Sequence, residues 1–186
     1  MITLRFDGLF RGFPSNHSSR KAGVMCYGWL VSRNGVLLAR GHGAVARGKD
    51  ATSNVAEYLA LIEGLEALID LGATQEIVKI CGDSRCIIDQ MRGVAAVNAP
   101  SMIPLHNQAT RLVQRFRKLR WNWMPRKHNK EADSLTRRAL RQVRLDPKVY
   151  HAALTAIVAL NHPKQGSNRF LPLMDLRVYQ PVNEFF

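Results

Sequence analysis

Two apolar runs, residues 24–32 and 36–44, are separated only by Arg33, Asn34 and Gly35, and no other feature limits the fold of this chain as tightly. An Asn-Gly pair takes the positive φ angles of a type I′ turn, whose twist matches that of paired strands, so the two runs predict an antiparallel hairpin. Residues 2–6 alternate apolar and polar and end at Asp7-Gly8, which reads as a strand running into a turn. The polar stretch 9–23, containing Gly, Pro and Ser, is predicted as a loop. Three strands therefore precede any helix.

From Asn54 onward the apolar positions Val55, Leu59, Ile62, Leu65, Leu68 and Ile69 recur mostly every three or four residues, the period of an amphipathic helix, and Gly72 ends it. Residues 77–81 form a short apolar strand, and Gly82-Asp83-Ser84 opens a second helix through Ile87, Ile88 and Met91. Past a loop containing Pro100, the positions Leu105, Ala109, Leu112, Val113 and Phe116 predict a third helix. Residues 121–124 predict a fifth strand closed by Pro125, and residues 131–141 a last helix. This order predicts an α/β fold, a five-stranded mixed sheet with helices on its faces. Residues 142–186 read differently: 147–160 suit one more helix, but 162–186 hold three prolines and no clear period. They are expected to be an extension of a main domain at 1–141, packed on that domain or at an oligomer interface, giving a monomer or a homodimer.

Charge narrows the partner. The chain of 186 residues carries 27 Lys plus Arg against 14 Asp plus Glu, a net +13, and residues 111–144 hold +10 of it through twelve basic and two acidic residues. So local an excess points to a polyanion. The longest markedly apolar uncharged stretch, 152–160, is far short of the roughly 20 residues that a membrane span needs. The N-terminus lacks the basic start and apolar core of a secretory signal, so no membrane partner is expected and the expected compartment is cytoplasmic. Cys26, Cys81 and Cys86 are odd in number and lack C-x-x-C spacing, and are expected as buried reduced thiols.

Few acidic residues stand at structural transitions, and four of them do: Asp7, Glu57, Asp83 and Asp133. Each has an ordinary explanation. Asp7 suits a turn beside Gly8, Asn54 to Glu57 has capping-box spacing, Asp83 suits a helix cap, and Asp133 answers a helix dipole. In a mixed sheet, however, the ends of neighbouring central strands and the helix starts beside them can converge on one edge, and a cluster of four carboxylates would then form. Four converging carboxylates repel one another unless cations occupy the cluster, and hard divalent ions are the natural occupants. Two such ions bridged by carboxylates activate a water and stabilise the leaving oxygen in phosphodiester cleavage.

These residues also carry a resemblance. Phe6-Asp7-Gly8 with Arg11-Gly12, the run from Thr52 to Tyr58, Gly82-Asp83-Ser84, and the run from His128 to Leu135 resemble, in order and spacing, the four signature blocks of type 1 ribonuclease H, most closely its compact archaeal and bacterial branch. The resemblance covers about residues 1–141. It implies a ribonuclease H-like fold and endonucleolytic hydrolysis of the RNA strand of an RNA/DNA hybrid, leaving 5′-phosphate and 3′-hydroxyl ends. It also implies that Asp7, Glu57, Asp83 and Asp133 hold two Mg2+ or Mn2+ ions. By the same resemblance Gly8, Arg11, Gly12, Asn54 and Ser84 contact substrate, with Arg126, Lys127 and Lys130 of the basic segment beside them. His128 stands as the counterpart of the family's histidine ahead of the last aspartate; its other reading is an exposed loop residue. Gly12-Phe13-Pro14-Ser15 departs from the family's Gly-Asn-Pro-Gly, and Ser53 stands where a second asparagine is common. Two other readings stay open: a nuclease of the same superfamily acting on duplex RNA or structured DNA, and a non-catalytic nucleic-acid-binding module.

Overall fold

A computed structural model describes residues 1–12, 23–47, 51–146, 148, 151, 155 and 171–174. Strands β1 (Ile2–Gly12), β2 (Gly23–Arg33) and β3 (Val36–Arg47) form an antiparallel meander. The turn between β2 and β3 is the expected one: Asn34 has φ 51° and Gly35 φ 87°, angles that Asn and Gly adopt at least cost. Strand β4 (Ile77–Gly82) lies parallel to β1, and β5 (Lys118–Trp123) lies parallel to β4. Around this mixed five-stranded sheet are α1 (Ser53–Asp70), α2 (Arg85–Met91), α3 (Ile103–Val113) and α4 (Lys130–Leu145).

The extension adds something the sequence did not announce. A sixth strand, β6 (Leu171–Met174), pairs antiparallel with β3, so the full order is β5-β4-β1-β2-β3-β6. Pro172 sits in β6, and an outer strand is where a sheet tolerates proline. Helix α4 itself runs to Leu145, four residues past the expected domain boundary. Most of the predicted 147–160 helix and the remainder of the extension lie outside the described residues, as does most of the 9–23 loop.

Helices α1 and α3 pack on one face of the sheet, where Leu4, Phe6, Tyr58, Leu61, Leu65 and Ile80 form the main core. Helix α4 packs on the other face, over β1, β2 and β3, with Ala139 and Val143 against Val24, Cys26 and Ala44. Strand β2, covered on both sides, is buried from Gly23 to Val31, which explains its unbroken apolar run. The same double cover accounts for a correction to β1. It does not turn at Asp7-Gly8 but continues to Gly12, because Leu9 packs under α4 and Phe10 packs on the main core. Asp7 therefore lies within a strand.

Two helix starts also differ from expectation. Thr52, not Asn54, caps α1, its side-chain oxygen accepting from the Val55 N–H at 3.2 Å. The Asn54–Glu57 capping box is thus absent, and Glu57 is left for another purpose. Ser84 occupies the cap position of α2, so Asp83 is one residue outside it. Cys26 and Cys81 are buried, but Cys86 is exposed, because Ile87 and Ile88 are the residues that α2 turns inward. Among the described residues, no helix is long and apolar enough to cross a membrane.

Candidate active site

The parallel ladder of β1 and β4 ends at Phe6 opposite Gly82, and the next residues are Asp7, still within β1, and Asp83, just past the end of β4. Glu57 arrives from α1. The three carboxylates each place an oxygen within 4.8 Å of the others, with Asp7 and Glu57 only 2% and 6% exposed. This approach depends on Gly8. A Cβ there would stand 2.2 Å from the backbone nitrogen of Glu57, so only glycine lets α1 come so close. The Gly8 N–H then donates to the Glu57 carboxylate.

Crowding shows in the acid strengths. Burial, and then the charges of Asp83 and Asp133, push Asp7 up to about 7, against a hydrogen bond from Thr136 and the cation of Arg126. Burial, followed by the charges of Asp7 and Asp83, holds Glu57 well above the usual carboxylate range. The Glu57 Oε2 atom is buried with no hydrogen-bond partner. Such an orphan is rare in a folded protein unless an ion, water or ligand completes it. Hard oxygen donors crowded this closely, one of them unsatisfied, fit a divalent cation of the Mg2+ or Mn2+ kind.

Asp133 stands apart from this trio. Arg126 Nη2 donates to its Oδ1 at 2.6 Å and Arg137 Nε to its Oδ2 at 2.7 Å. Burial is the largest single influence on Asp133 and raises it, but the hydrogen bonds and charges of the two arginines outweigh that and hold the carboxyl below its ordinary value. Its charge still reaches Asp7. The structure thus brings three of the four expected acids into one group and sets the fourth beside them under two cations.

The remaining residues singled out from the sequence divide by distance. Gly8 belongs to the cluster, and Ser84 follows Asp83 directly. Asn54 is half-buried in the first turn of α1. Arg126, Lys127 and His128 are exposed on a short 3-10 turn between β5 and α4, and Lys130 is exposed at the start of α4. Arg11 and Gly12 are exposed at the far end of β1, with Arg11 about 13 Å along the strand from Asp7 at the usual rise per residue.

Three residues that the sequence reading left without a role hold the carboxylates. Asn129 is fully buried; its Nδ2 donates to the Phe6 carbonyl at 2.8 Å and to Asp83 Oδ1 at 3.3 Å. It ties the start of α4 to the ends of β1 and β4. Thr136 Oγ1 lies 3.2 Å from Asp7 Oδ2 and 2.8 Å from the Asp133 carbonyl oxygen. Arg137 grips Asp133 from one turn further on. The signal for Thr136 and Arg137 was their i+3 and i+4 spacing from Asp133, which puts all three on one side of a helix.

Comparison with known proteins gives the same reading. A family model described as Reverse transcriptase-like matches residues 6–139. The bifunctional protein Rv2228c of Mycobacterium tuberculosis is 36% identical over 139 residues, which are 75% of this chain and 35% of that protein. The chain therefore spans only about a third of the length of this relative. The structure of its N-terminal RNase H domain, fused to maltose binding protein, matches with a TM-score of 0.63 at 34% identity, over 74% of this chain and 97% of that one. RNase H1 of the halophilic archaeon Halobacterium salinarum NRC-1 matches with a TM-score of 0.65 at 32% identity, over 76% and 98% of the two chains. LC11-RNase H1, solved in complex with RNA/DNA hybrid, matches with a TM-score of 0.65 at 26% identity, over 77% and 99%. Strand order, acidic cluster and relatives all lead to one assignment: this chain belongs to the type 1 ribonuclease H family.

Proposed function

We propose that the chain is a divalent-metal-dependent endonuclease that hydrolyses the RNA strand of RNA/DNA hybrids, leaving 5′-phosphate and 3′-hydroxyl ends. The observation that carries this is the meeting of Asp7, Glu57 and Asp83 within 4.8 Å at the ends of two adjacent parallel strands. Asp7, Glu57, Asp83 and, across the rim, Asp133 would hold two Mg2+ or Mn2+ ions. When bound, the ions supply an activated water and charge stabilisation on the leaving oxygen.

The protein's own part is to hold the ligands in place. Gly8 steadies Glu57 through its N–H, Thr136 steadies Asp7, Asn129 steadies Asp83, and Arg126 with Arg137 steadies Asp133. Trp123 Nε1 donates to the Asp83 carbonyl at 3.0 Å and so fixes the backbone of the same loop. Asn54 and Ser84 flank the cluster where a sugar-phosphate strand would pass, and Arg126, Lys127 and Lys130 neutralise neighbouring phosphates. Arg11 and Gly12 lie too far along β1 for the scissile group and serve more distant phosphates. His128, exposed on the turn that leads into α4, is assigned the carriage of a proton to or from the site, the usual work of an imidazole.

A hybrid, rather than another duplex, is favoured by the RNA/DNA hybrid in the LC11-RNase H1 complex. Discrimination then rests on the 2′-hydroxyl of the RNA strand. Cleavage of hybrid, duplex RNA, duplex DNA and each single strand, compared in Mg2+ and in Mn2+, tests the assignment. Preferential cutting of duplex RNA or structured DNA would move the chain to another substrate, and no cutting of any of them would leave a binding module.

A further inference from the structure

Helix α4 covers its face of the sheet over β1, β2 and β3, and α2, which also meets β4 and β5, turns Ile87 and Ile88 into the main core on the α1 side, so the β4 and β5 part of the α4 face is left without a helix among the described residues. Strand alternation decides what is displayed there. Val78 and Ile80 are buried in the main core on the α1 side, so Lys79 and Cys81 point the other way. On β5, Arg120 pairs with Lys79 and Asn122 with Cys81, and Lys118 shares their face by the same alternation. On β1, Thr3 is opposite Lys79 and Arg5 opposite Cys81.

Side-chain contacts agree with this reading. Asn122 Nδ2 lies 3.9 Å from Cys81 Sγ. Burial raises the Cys81 thiol, and the Lys79 and Arg5 cations both act on it in the opposite direction. The open strip is therefore a basic plate of Arg5, Lys79, Lys118 and Arg120. Glu131 and Glu76 border it, and each is already paired with an arginine, Arg5 at 2.5 Å and Arg33 at 2.6 Å. Lys79, Lys118 and Arg120 form no ion pair among the described residues.

The plate is continuous with the carboxylate cluster. Arg5 is two residues below Asp7 on the same face of β1, and Lys79 four residues below Asp83 on β4. At the rise of a strand these are about 7 and 13 Å, or roughly two to four steps of a stacked nucleic-acid strand. Two strands wide, roughly 10 Å, and bounded on one side by α4, the plate has room for a single backbone. Unpaired cations on a flat face are costly to bury against an apolar partner, whereas a phosphodiester backbone meets them with opposite charge and releases counterions.

We propose that this face of β4 and β5 binds the single-stranded nucleic acid that extends from a hybrid held at the carboxylates, through its backbone and without regard to sequence. The proposal rests on the hybrid-nuclease reading and adds a second contact region to it.

Fluorescence anisotropy on the full chain without divalent metal tests it, with three probes. These are a short flush-ended hybrid, the same hybrid carrying a single-stranded overhang of about eight nucleotides, within the span that other single-strand grooves cover, and that single strand alone. The wild-type chain is expected to bind the overhang hybrid about fivefold or more tightly than the flush one at low salt. Its log-affinity against log-salt slope should steepen by about 2, the release expected from three cations on a single strand. Lys79→Ala, Lys118→Ala and Arg120→Ala combined should erase the gain from the overhang and weaken binding of the free single strand, with circular dichroism unchanged. Equal wild-type affinity for both hybrids, or a gain that survives the triple substitution, overturns the proposal; the latter result would leave the plate to some other anionic partner. Cleavage of the flush hybrid in Mg2+, run in parallel, reports on the nuclease reading separately, since the anisotropy needs no turnover.

Discussion

Asp7 sits at the balance point of the cluster, and its acid strength has a consequence for stability. Burial and the neighbouring carboxylates push Asp7 up to about 7 from the ordinary 3.8, so the metal-free fold binds a proton that the unfolded chain has released. The stability this contributes is complete below pH about 4 and is lost as pH rises through about 7. Glu57 shifts in the same direction. One pKa unit corresponds to about 1.4 kcal/mol, and a domain of this size loses about 2–4 °C of Tm per kcal/mol. Metal-free protein should thus melt several degrees lower at pH 8 than at pH 5. Mg2+ should restore the Tm at pH 8, and Asp7→Asn should flatten the dependence; a Tm that rises from pH 5 to 8 without metal would contradict the shift. Asn129 makes a second prediction. Asn129→Ala removes the donor shared by the Phe6 carbonyl and Asp83, which should cost about 1–3 kcal/mol of stability through the buried group left unmade. Loss of a partner behind a metal ligand typically costs 10–100-fold in metal affinity or activity, so the Mg2+ needed for half-maximal cleavage should rise in that range. An unchanged Mg2+ dependence would make Asn129 a purely structural latch.

At the level of elements, legibility followed how local each determinant is. The β2–β3 turn was readable because Asn34 and Gly35 fix it between themselves, and α1 because its apolar period runs for most of its length. The end of β1 was not readable: the cover that keeps Leu9 and Phe10 in a strand comes from α4 and the main core, far away in sequence. The same holds for the grip of Asn129 on Asp83, which spans 46 residues. The meeting of Asp7, Glu57 and Asp83 was legible from their places at strand ends and a helix start, but the setting apart of Asp133 was not, since Arg126, which holds it together with Arg137, lies on a turn whose direction no pattern reveals. That turn and the start of α4 give a direct test of the substrate contact. Replacing Arg126, Lys127 and Lys130 with Ala should lower the magnitude of the log-affinity against log-salt slope for hybrid by about 2 to 3, the loss of three phosphate contacts. Turnover should fall as well, because Arg126 also holds Asp133. A slope equal to that of the wild type would put the hybrid on another surface.

For the molecule as a whole, the carboxylates lie where the central strands β1 and β4 end, while β6 of the extension joins the sheet at its outer edge, on β3. Deleting residues 147–186 should therefore leave hydrolysis in place. It should lower the Tm or change the oligomeric state, because β3 then loses its outer partner and becomes an exposed edge. A folded truncation without activity would mean that the extension completes the substrate path. The assignment itself stands on the carboxylate cluster, and one experiment reaches it most directly: cleavage of a hybrid labelled on its RNA strand, in Mg2+, by wild-type protein and by Asp83→Asn side by side. The wild type is expected to cut the RNA strand, leave 3′-hydroxyl ends and stop on chelation. Asp83→Asn, alike in volume but lacking the ligand charge, should fall to background while melting at the wild-type temperature or above without metal, because mutual repulsion in the cluster is relieved. Wild-type turnover by Asp83→Asn, or cutting that persists after chelation, would contradict the assignment.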